Sequence, residues 1–349
     1  MKILICGNLG YVGPEVCKHL KKTFPKSELT GLDTGYFSSR ISQFGRMGDT
    51  YCDCQIYKDI RDVKEDFFKD FDSIIVLSAI SNDPMGNKFE EVTNEINFLA
   101  VKKLIECFIS LPDKRLVFAS SCSMYGNADG NSKSETDKLN PLTAYARSKV
   151  SVEQTLEKSN FGTNTSATSL RFATACGMSD RLRLDLVLND FVASALINNK
   201  IEILSDGTPW RPLINVKDMC RAIEWAILRD HKDSSYLAIN TGSNKWNYKV
   251  SEIAEAVAEK VGNCDLSINK NATPDSRSYK VNFDLFESLA PNHQSIYSLE
   301  ETIEDLIIGL NEIKHLIKTD FRSSDFMRLH ILEDHLKNKR LSENLRWLK

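Results

Sequence analysis

The sequence contains no hydrophobic run long enough to span a membrane. Its longest apolar stretch, residues 74–80, is interrupted by Ser78 and falls far short of the roughly 20 residues that a membrane-spanning helix needs. Residues 1–6 go directly into an apolar, strand-like run, without the charged leader, apolar segment and small-residue cleavage site of a secretory signal. These absences predict a cytoplasmic protein that has no membrane partner.

Basic runs with interleaved aromatic residues are also missing. The formal net charge is −3 at pH 7, so the chain has no general electrostatic attraction to polyanions. Since a nucleic-acid-binding protein normally carries a basic patch or stripe, we expect no nucleic-acid partner.

Metal-binding patterns and a disulfide framework are lacking as well. The nine cysteines are odd in number and scattered, which favours reduced thiols. Cys52 and Cys54 stand close enough in sequence to ligate a metal, but no second Cys or His pair stands at matching spacing. The six histidines are isolated. We therefore expect no metal site.

What the sequence does contain is an alternation of apolar strands and helical segments, in a chain of 349 residues that is long enough for about two domains. A strand over residues 3–6 leads into a turn with Gly7, Gly10 and Gly13, and a helical pattern follows to about Lys22. Gly7 permits a tight turn, Gly10 lets the backbone approach a pyrophosphate, and Gly13 lets helix and strand pack closely. The pattern predicts a dinucleotide-binding unit.

The second strand, residues 29–32, ends at Asp33, where the ribose of a bound dinucleotide lies. A carboxylate at this position accepts hydrogen bonds from the 2′ and 3′ hydroxyls of NAD and repels the 2′-phosphate of NADP. The sequence therefore predicts NAD as the cofactor.

Tyr145 and Lys149 lie four residues apart in what reads as the first turns of a helix. This spacing puts both side chains on one helix face, so the ammonium can lie close to the phenol. A neighbouring positive charge favours phenolate and moves the pKa of the tyrosine toward the range useful for general acid–base catalysis. By itself the pair is also typical of many solvated helices.

The G-x-x-G-x-x-G spacing, together with Tyr145 and Lys149, resembles the extended short-chain dehydrogenase/reductase family, whose members include nucleotide-sugar epimerases, dehydratases and reductases. The similarity covers roughly residues 1–290, and Asn97 is one of the matching positions. The cofactor-binding positions that it implies are Gly7, Gly10, Tyr11, Val12, Gly13, Asp33, Asp59, Ile60, Ser78, Ala79, Tyr145 and Lys149.

The resemblance implies an α/β fold, a Rossmann-type doubly wound parallel sheet with a smaller C-terminal substrate-binding domain. Residues 1–171 plus 216–247 would form the NAD-binding Rossmann domain, and residues 172–215 plus 248–300 the nucleotide-sugar-binding domain. Residues 301–349 would be a C-terminal helical extension, which we interpret as a packed cap rather than a subunit contact. Family members usually pair through two helices per subunit, here around residues 98–108 and 145–156, so we expect a homodimer.

The catalytic residues that the resemblance implies are Ser121, Tyr145 and Lys149. Ser121 stands four places before the Tyr125-Gly126 landmark, where the family places a hydroxyl that shares a proton with the tyrosine. The 4,6-dehydratases carry an Asp-Glu pair after this position and decarboxylating members keep the glutamate, whereas this chain has Cys122 and Ser123. Elimination and decarboxylation therefore lack their usual acid.

The substrate-binding positions that the resemblance implies are Ser81, Ser121, Thr174, Asn189, Arg211 and Arg277. The planar guanidinium of Arg211 suits a diphosphate, because its fork can bind two oxygens at once. A second such arginine, Arg277, indicates a nucleotide-diphosphate sugar rather than a free sugar. We interpret Arg181 and Asp185 as residues of a solvated helix end.

Simple hydride chemistry at one carbinol remains, and the leading hypothesis is an NAD-dependent nucleotide-sugar 4-epimerase acting through a transient 4-keto sugar. The alternative is a 4-ketoreductase or 4-dehydrogenase with net redox turnover, because the same residues serve both reactions. A non-catalytic dinucleotide-binding scaffold is disfavoured, because such relatives typically lose the tyrosine or the lysine, and both are present here.

Overall fold

A computed structural model of the protein describes residues 1–38, 48–127, 131–230, 234–272, 278–317 and 320–348. The strands, in chain order, are β1 (Lys2–Cys6), β2 (Glu28–Asp33), β3 (Cys54–Tyr57), β4 (Ser73–Val76), β5 (Arg115–Ser121), β6 (Ser132–Lys133), β7 (Ser166–Phe172), β8 (Thr174–Cys176), β9 (Lys200–Ile203), β10 (Trp210–Asn215), β11 (Tyr236–Thr241), β12 (Asn247–Lys249), β13 (Asp265–Ile268) and β14 (Lys280–Val281). Seven of them form one parallel sheet in the order β11-β7-β5-β4-β1-β2-β3. The predicted Rossmann-type doubly wound sheet is thereby confirmed.

The order of the strands reverses at β1, which is why a binding crevice forms at its carboxyl end. The chain runs from β1 outward to β2 and β3 on one side, then returns to β4 and continues outward on the other. The glycine turn that follows β1 lies at this switch point. Side chains of β1 alternate between two cores: Ile3 and Ile5 belong to one, and Leu4 and Cys6 to the other. Because both faces of the sheet are covered, all four side chains are fully buried.

Helices cover both faces of the sheet and build the smaller part of the molecule. In chain order they are α1 (Gly13–Thr23), α2 (Glu65–Lys69), α3 (Asp83–Lys88), α4 (Glu90–Asn94), α5 (Ala100–Phe108), α6 (Ala144–Glu157), α7 (Val187–Asn198), α8 (Val216–Leu228), α9 (Val250–Val261), α10 (Asp284–Leu289), α11 (Leu299–Ile313) and α12 (Arg328–Lys337). Proline at the first turn starts α1, and the hydroxyl of Thr143 caps α6 by accepting a hydrogen bond from the Ala146 N–H at 3.2 Å.

A third core lies beside the sheet and contains side chains from α7, α9 and α11 together with the short strands β9 and β10. These elements form the smaller part of the molecule. Strands β8, β10 and β12 form a small mixed sheet next to it, and β9 pairs with β13. The domain boundaries predicted above stay a prediction.

The C-terminal extension expected to be helical over residues 301–349 is not helical throughout. Helix α12 ends at Lys337, and beyond it Lys339 and Leu345 have φ values of +53° and +49°. Leu341 then forms an isolated antiparallel bridge with Trp347. Since a left-handed backbone cannot continue an α-helix, the chain turns back on itself here.

Candidate active site

The glycine turn leaves its backbone open to a ligand. Gly7 has a φ of +90°, and a Cβ atom on it would lie 2.5 Å from the backbone nitrogen of Ser78. A Cβ on Gly13 would lie 2.3 Å from the carbonyl oxygen of Asn8, so helix and turn pack as the sequence predicts. Gly10, Tyr11 and Val12 line a large cavity at the N-terminal end of α1, where backbone N–H groups and the helix dipole favour phosphate. The turn therefore fits a dinucleotide diphosphate.

Asp33 lies at the end of β2 and lines the same cavity. Its carboxylate accepts hydrogen bonds from the backbone N–H of Leu9 at 3.1 Å and of Gly35 at 2.7 Å. Burial raises the pKa of Asp33, and the two backbone hydrogen bonds and nearby arginines oppose that shift. Asp59 and Ile60 line the cavity beyond it. These residues fit the adenosine half of a dinucleotide.

The segment after β4 lines the opposite half of the cavity with Ser78, Ala79 and Ser81. The hydroxyl oxygen of Ser78 is buried and, in the part of the chain that the structure describes, has no hydrogen-bond partner. Such an orphaned hydroxyl beside the glycine turn fits a bound polar ligand. Asn97 holds this segment in place through two hydrogen bonds. Its side-chain oxygen accepts from the Ile80 N–H at 2.8 Å, and its side-chain N–H donates to the Ile80 carbonyl at 3.0 Å.

Tyr145 lies in the first turn of α6 and faces the cavity together with Ser121, the last residue of β5. Burial raises the pKa of Tyr145 to about 12, and a hydrogen bond with the Ser121 side chain and the charge of Arg183 act in the opposite direction. The Ser121 oxygen also accepts a hydrogen bond from the Ser123 N–H at 3.1 Å, so it caps a turn while facing the cavity. A phenol and a hydroxyl are thus placed to share one proton.

Lys149 lies one turn further along α6 and is 2 % exposed. Its ammonium lies 5.4 Å from the centroid of the Tyr145 ring and donates a hydrogen bond to the carbonyl of Ala119 at 2.6 Å. Burial lowers the pKa of Lys149 to about 7, and the charge of Glu153 opposes this shift. The sequence predicted that Lys149 lowers the pKa of the tyrosine. Burial outweighs any such effect, because it raises the pKa of Tyr145 and lowers the pKa of Lys149.

A buried ion pair lies directly behind Lys149. The carboxylate of Glu153 accepts hydrogen bonds from the Arg171 guanidinium at 2.7 Å and from the Ser120 hydroxyl at 2.6 Å. Arg171 also donates to the Tyr125 hydroxyl at 3.0 Å. Tyr145, Lys149 and Glu153 are spaced four residues apart on one helix face, so the ion pair supports the catalytic face from behind.

The cavity has a volume of about 970 Å³ and continues from the cofactor half toward Thr174 and Arg211. Arg211 lies 5.8 Å from the centroid of the Tyr279 ring, and Tyr279 shares a hydrogen bond with Thr174. Tyr279 and Asp83 line this part of the cavity and act electrostatically on Tyr145. Neither was singled out from the sequence, because a lone tyrosine or aspartate in a loop carries no spacing signal.

One substrate position predicted from the sequence is not brought to this cavity. Asn189 is 0 % exposed, and its amide accepts a hydrogen bond from the Gly177 N–H at 3.0 Å and donates to the Arg183 carbonyl at 2.9 Å. Its hydrogen bonds are therefore made within the protein. Arg277 lies outside the described residues.

The expectation that Arg181 and Asp185 lie on a solvated helix end was wrong. Arg181 is 2 % exposed, α7 begins only at Val187, and Asp185 accepts hydrogen bonds from Arg183 at 2.8 Å and from Asn82 at 2.7 Å. Burial is possible because opposite charges lie close together. Arg183 also donates to the Ser81 hydroxyl at 2.9 Å, so this stretch forms a wall of the cavity.

The thiol of Cys122, next to Ser121, points away from the cavity. It is fully buried and donates to the carbonyl of Arg171 at 3.0 Å, and burial raises its pKa. Within the described ranges no group of three or more His, Cys, Asp or Glu side chains could hold a metal ion. The same ranges contain no helix whose length and apolarity would allow it to cross a membrane.

A doubly wound sheet, a glycine turn at its switch point, and a serine, tyrosine and lysine facing one cavity define a dinucleotide-dependent oxidoreductase of the short-chain type. The model of the NAD dependent epimerase/dehydratase family matches residues 3–242. The chain belongs to this family, within the extended short-chain dehydrogenases/reductases, and is an NAD-dependent enzyme.

Curated relatives agree with this assignment. Protein CapI of Staphylococcus aureus is 26% identical over 289 residues, which are 75% of this chain and 84% of CapI. The UDP-glucose 4-epimerase of Lactobacillus helveticus is 25% identical over 287 residues, 76% of this chain and 83% of the relative.

Solved structures share the fold. MoeE5 in complex with UDP-glucose and NAD superimposes with a TM-score of 0.74 at 23% identity, covering 89% of this chain and 99% of MoeE5. The UDP-glucuronic acid 4-epimerase from Bacillus cereus, in complex with UDP-glucuronic acid and NAD, gives 0.74 at 21% identity, covering 90% and 100%.

Proposed function

We propose that the protein is a nucleotide-sugar 4-epimerase that acts through a transient 4-keto sugar, with a UDP-hexose as its substrate class. The observation that carries the proposal is the hydrogen bond between Ser121 and Tyr145 at the wall of the cavity. The two residues that follow Ser121 in sequence, Cys122 and Ser123, carry no carboxylic acid. The names of two curated relatives support the same reaction, since both are UDP-glucose 4-epimerases.

In the proposed reaction Tyr145 takes the proton of the sugar's 4-hydroxyl, directly or through the hydroxyl of Ser121. Bound NAD supplies reversible hydride transfer at the same carbon. Loss of the hydride from C4 and of the proton from its oxygen leaves a ketone at C4, and return of the hydride to the opposite face of that carbon inverts it. Ser121 and Tyr145 then give the proton back to the oxygen, so that the protein ends in its starting protonation state.

Lys149 supports this proton transfer from beneath the tyrosine ring. Its charge, when present, favours tyrosinate, and its position fits a contact with the nicotinamide ribose. Arg211 and Thr174 lie in the part of the cavity that would hold the diphosphate and the sugar. The proposed contact of Arg277 with the diphosphate depends on a residue outside the described ranges.

The experiment uses UDP-hexoses that carry deuterium at C4, incubated with purified protein without external cofactor. A 4-epimerase converts each substrate to its C4 epimer, and nuclear magnetic resonance detects the label at C4 of the product. In a parallel incubation with added NAD or NADH, a 4-ketoreductase or 4-dehydrogenase instead changes the absorbance of reduced cofactor in proportion to product. Stoichiometric consumption or formation of external reduced cofactor would contradict the epimerase proposal.

We also propose a homodimer that pairs through α5 and α6. Their outer faces form a shallow groove lined by Phe98, Lys102, Ile109, Ser151 and Thr155, and Leu99 beside it is 43% exposed. Light scattering coupled to gel filtration tests this proposal: a Leu99→Glu variant should shift the molar mass from dimer to monomer. A wild-type protein that elutes with the mass of one chain contradicts it.

A further inference from the structure

The C-terminal segment, defined as residues 320–348, joins the two parts of the molecule. Phe321 and Phe326 belong to the core of the smaller part, whereas Leu332, Leu341 and Leu345 belong to a core of the central sheet. The chain crosses from one core to the other between Phe326 and Leu332. Because both ends of the crossing are anchored by buried side chains, the residues between them are held in place.

Residues at this crossing line the active-site cavity. Met327 and Arg328 contribute to its wall, together with Arg322 earlier in the segment. Arg328 is 2 % exposed, lies 4.4 Å from the centroid of the Phe37 ring, and donates to the carbonyl of Arg181 at 2.8 Å. A guanidinium has five N–H groups, and in the ranges that the structure describes this is its one hydrogen bond.

The charges around Arg328 favour an anionic ligand. Arg183 and Arg181 act on it as like charges, and Asp185 and Asp33 as opposite charges. Because like charges repel strongly when they are buried, an anion placed between the guanidinium groups would be stabilising. In agreement, burial and the neighbouring arginines lower the pKa of Arg328 to about 9.

The end of the segment holds the loop that follows Asp33. The indole N–H of Trp347 donates to the carbonyl of Thr34 at 2.7 Å, and the hydroxyl of Tyr36 donates to the carbonyl of Leu345. Arg61 donates to the carbonyls of Asn344 at 3.0 Å and Leu345 at 3.2 Å.

The C-terminal segment also makes charged and polar contacts with that loop and with the residues after β3. The guanidinium of Arg346 lies 2.5 Å from the carboxylate of Asp62 and 3.3 Å from that of Asp59. A ring nitrogen of His335 lies 2.9 Å from the carbonyl of Tyr36. The segment is therefore attached on both sides of the adenosine half of the cavity.

We propose that the C-terminal segment is part of the dinucleotide site: Arg328 binds the diphosphate of NAD, and Trp347 positions the loop that receives the adenosine. The proposal uses the NAD dependence of the family and is independent of which sugar carbon is inverted. About a tenth of this chain has no counterpart in the superimposed structures, which are themselves covered almost completely, so the chain carries an addition relative to them.

Equilibrium binding to the cofactor-free, full-length protein tests the proposal without any turnover. Isothermal titration with NAD, ADP-ribose, adenosine and nicotinamide mononucleotide separates the halves of the ligand. Arg328→Gln should weaken the binding of NAD and ADP-ribose by about 10-fold to 100-fold, the loss typical of one charge-assisted hydrogen bond. The affinity for adenosine should be unchanged. Arg328→Lys, which keeps the charge, should recover at least half of that loss on a logarithmic scale.

Trp347→Phe keeps an aromatic ring but removes the hydrogen bond to Thr34. We expect it to weaken the binding of NAD, ADP-ribose and adenosine by a similar factor of about 3-fold to 10-fold, since all three ligands contain adenosine. Nicotinamide mononucleotide should bind as it does to the wild type. A merely structural role would weaken all four ligands together.

Lys337→Gln is the matched control, because it removes one positive charge from an exposed position of the same helix. Wild-type affinity of Arg328→Gln for NAD, or a loss equal to that of Lys337→Gln, overturns the role of Arg328. Equal losses for all four ligands in Trp347→Phe overturn the positioning role. Should Arg328→Gln not fold, the salt dependence of the wild type and of Arg328→Lys decides. Both proteins should bind ADP-ribose more weakly at high salt, and affinities for ADP-ribose that are equal at low and high salt contradict the proposal.

Discussion

The ammonium of Lys149 lies 5.4 Å from the centroid of the Tyr145 ring while donating a hydrogen bond to the carbonyl of Ala119 at 2.6 Å. The i, i+4 spacing therefore brings the two side chains together, as the sequence predicts. Burial acts on both groups in the direction that opposes catalysis, raising the pKa of the phenol and lowering that of the amine. Burial thus favours the uncharged forms of both groups relative to their forms in water.

The low pKa of Lys149 gives a measurable pH dependence of stability. An unfolded lysine binds a proton below about 10.4, whereas the folded one binds it only below about 7. Between these values the unfolded state holds more protons, so the free energy of unfolding rises with pH. Urea denaturation measures this effect. Relative to Lys149→Met, the free energy of unfolding of the cofactor-free wild type should rise by roughly 1–2 kcal/mol from pH 7 to pH 9.

An exposed lysine provides the comparison. Lys260→Met, at an exposed position of α9, should follow the wild type across the same pH range. Parallel curves for the wild type and Lys149→Met would show that Lys149 stays charged in the folded protein at pH 9.

Tyr145→Phe should reduce the turnover number by about 100-fold to 10,000-fold, because it removes the group that exchanges a proton with the substrate. The ring stays in place, so NAD affinity should change by no more than a few-fold. Steady-state kinetics with the substrate identified by the labelling experiment, alongside NAD titration, measures both. Tyr57→Phe, at a tyrosine that is 62% exposed, should leave turnover unchanged. Undiminished turnover of Tyr145→Phe would remove the proposed acid–base role.

The two charges of the ion pair behind Lys149, Glu153 and Arg171, should depend strongly on each other in their contributions to the free energy of unfolding. Glu153→Gln leaves the Arg171 guanidinium buried without its counter-charge, so we expect a loss of about 3–5 kcal/mol in the free energy of unfolding. Combining it with Arg171→Met should destabilise by less than the sum of the single changes, since the second change removes the stranded charge. Denaturant titration of the four proteins in the cycle measures this coupling.

A surface ion pair serves as the control for that cycle. Asp66→Asn breaks the pair with Lys69 on α2, where both side chains are largely in water. Its effect on unfolding should be too small to measure. Additive losses in the Glu153 and Arg171 cycle would mean that the two charges do not depend on each other.

The sequence was sufficient for the central sheet and for the cofactor half of the site, because these depend on local patterns. Glycine spacing, an acid at the end of the second strand and a tyrosine–lysine pair each report a nearby backbone geometry. Gly7 illustrates this: its positive φ and its 2.5 Å approach to the backbone of Ser78 allow no side chain.

The walls of the cavity were harder to predict, since they depend on contacts between distant parts of the chain. Arg181 reads as a solvated residue in a charged stretch, yet it is buried beside segments that are far away in sequence. Arg328 and Trp347 lie in a region with no family motif, and only the folded chain places them beside Phe37 and Thr34. Asn189 matches a family position but makes its hydrogen bonds within the protein.

Arg211 should control substrate affinity without affecting the cofactor. It lines the substrate half of the cavity, and a guanidinium fork can bind two diphosphate oxygens where an ammonium binds as a point charge. Arg211→Lys should therefore raise the KM for the nucleotide sugar by about 10-fold, and Arg211→Met by more, with NAD affinity unchanged. Arg147→Lys, at an exposed ion pair with Glu90, is the matched control and should keep the wild-type KM. Equal KM values for Arg211→Lys and the wild type would place the diphosphate elsewhere.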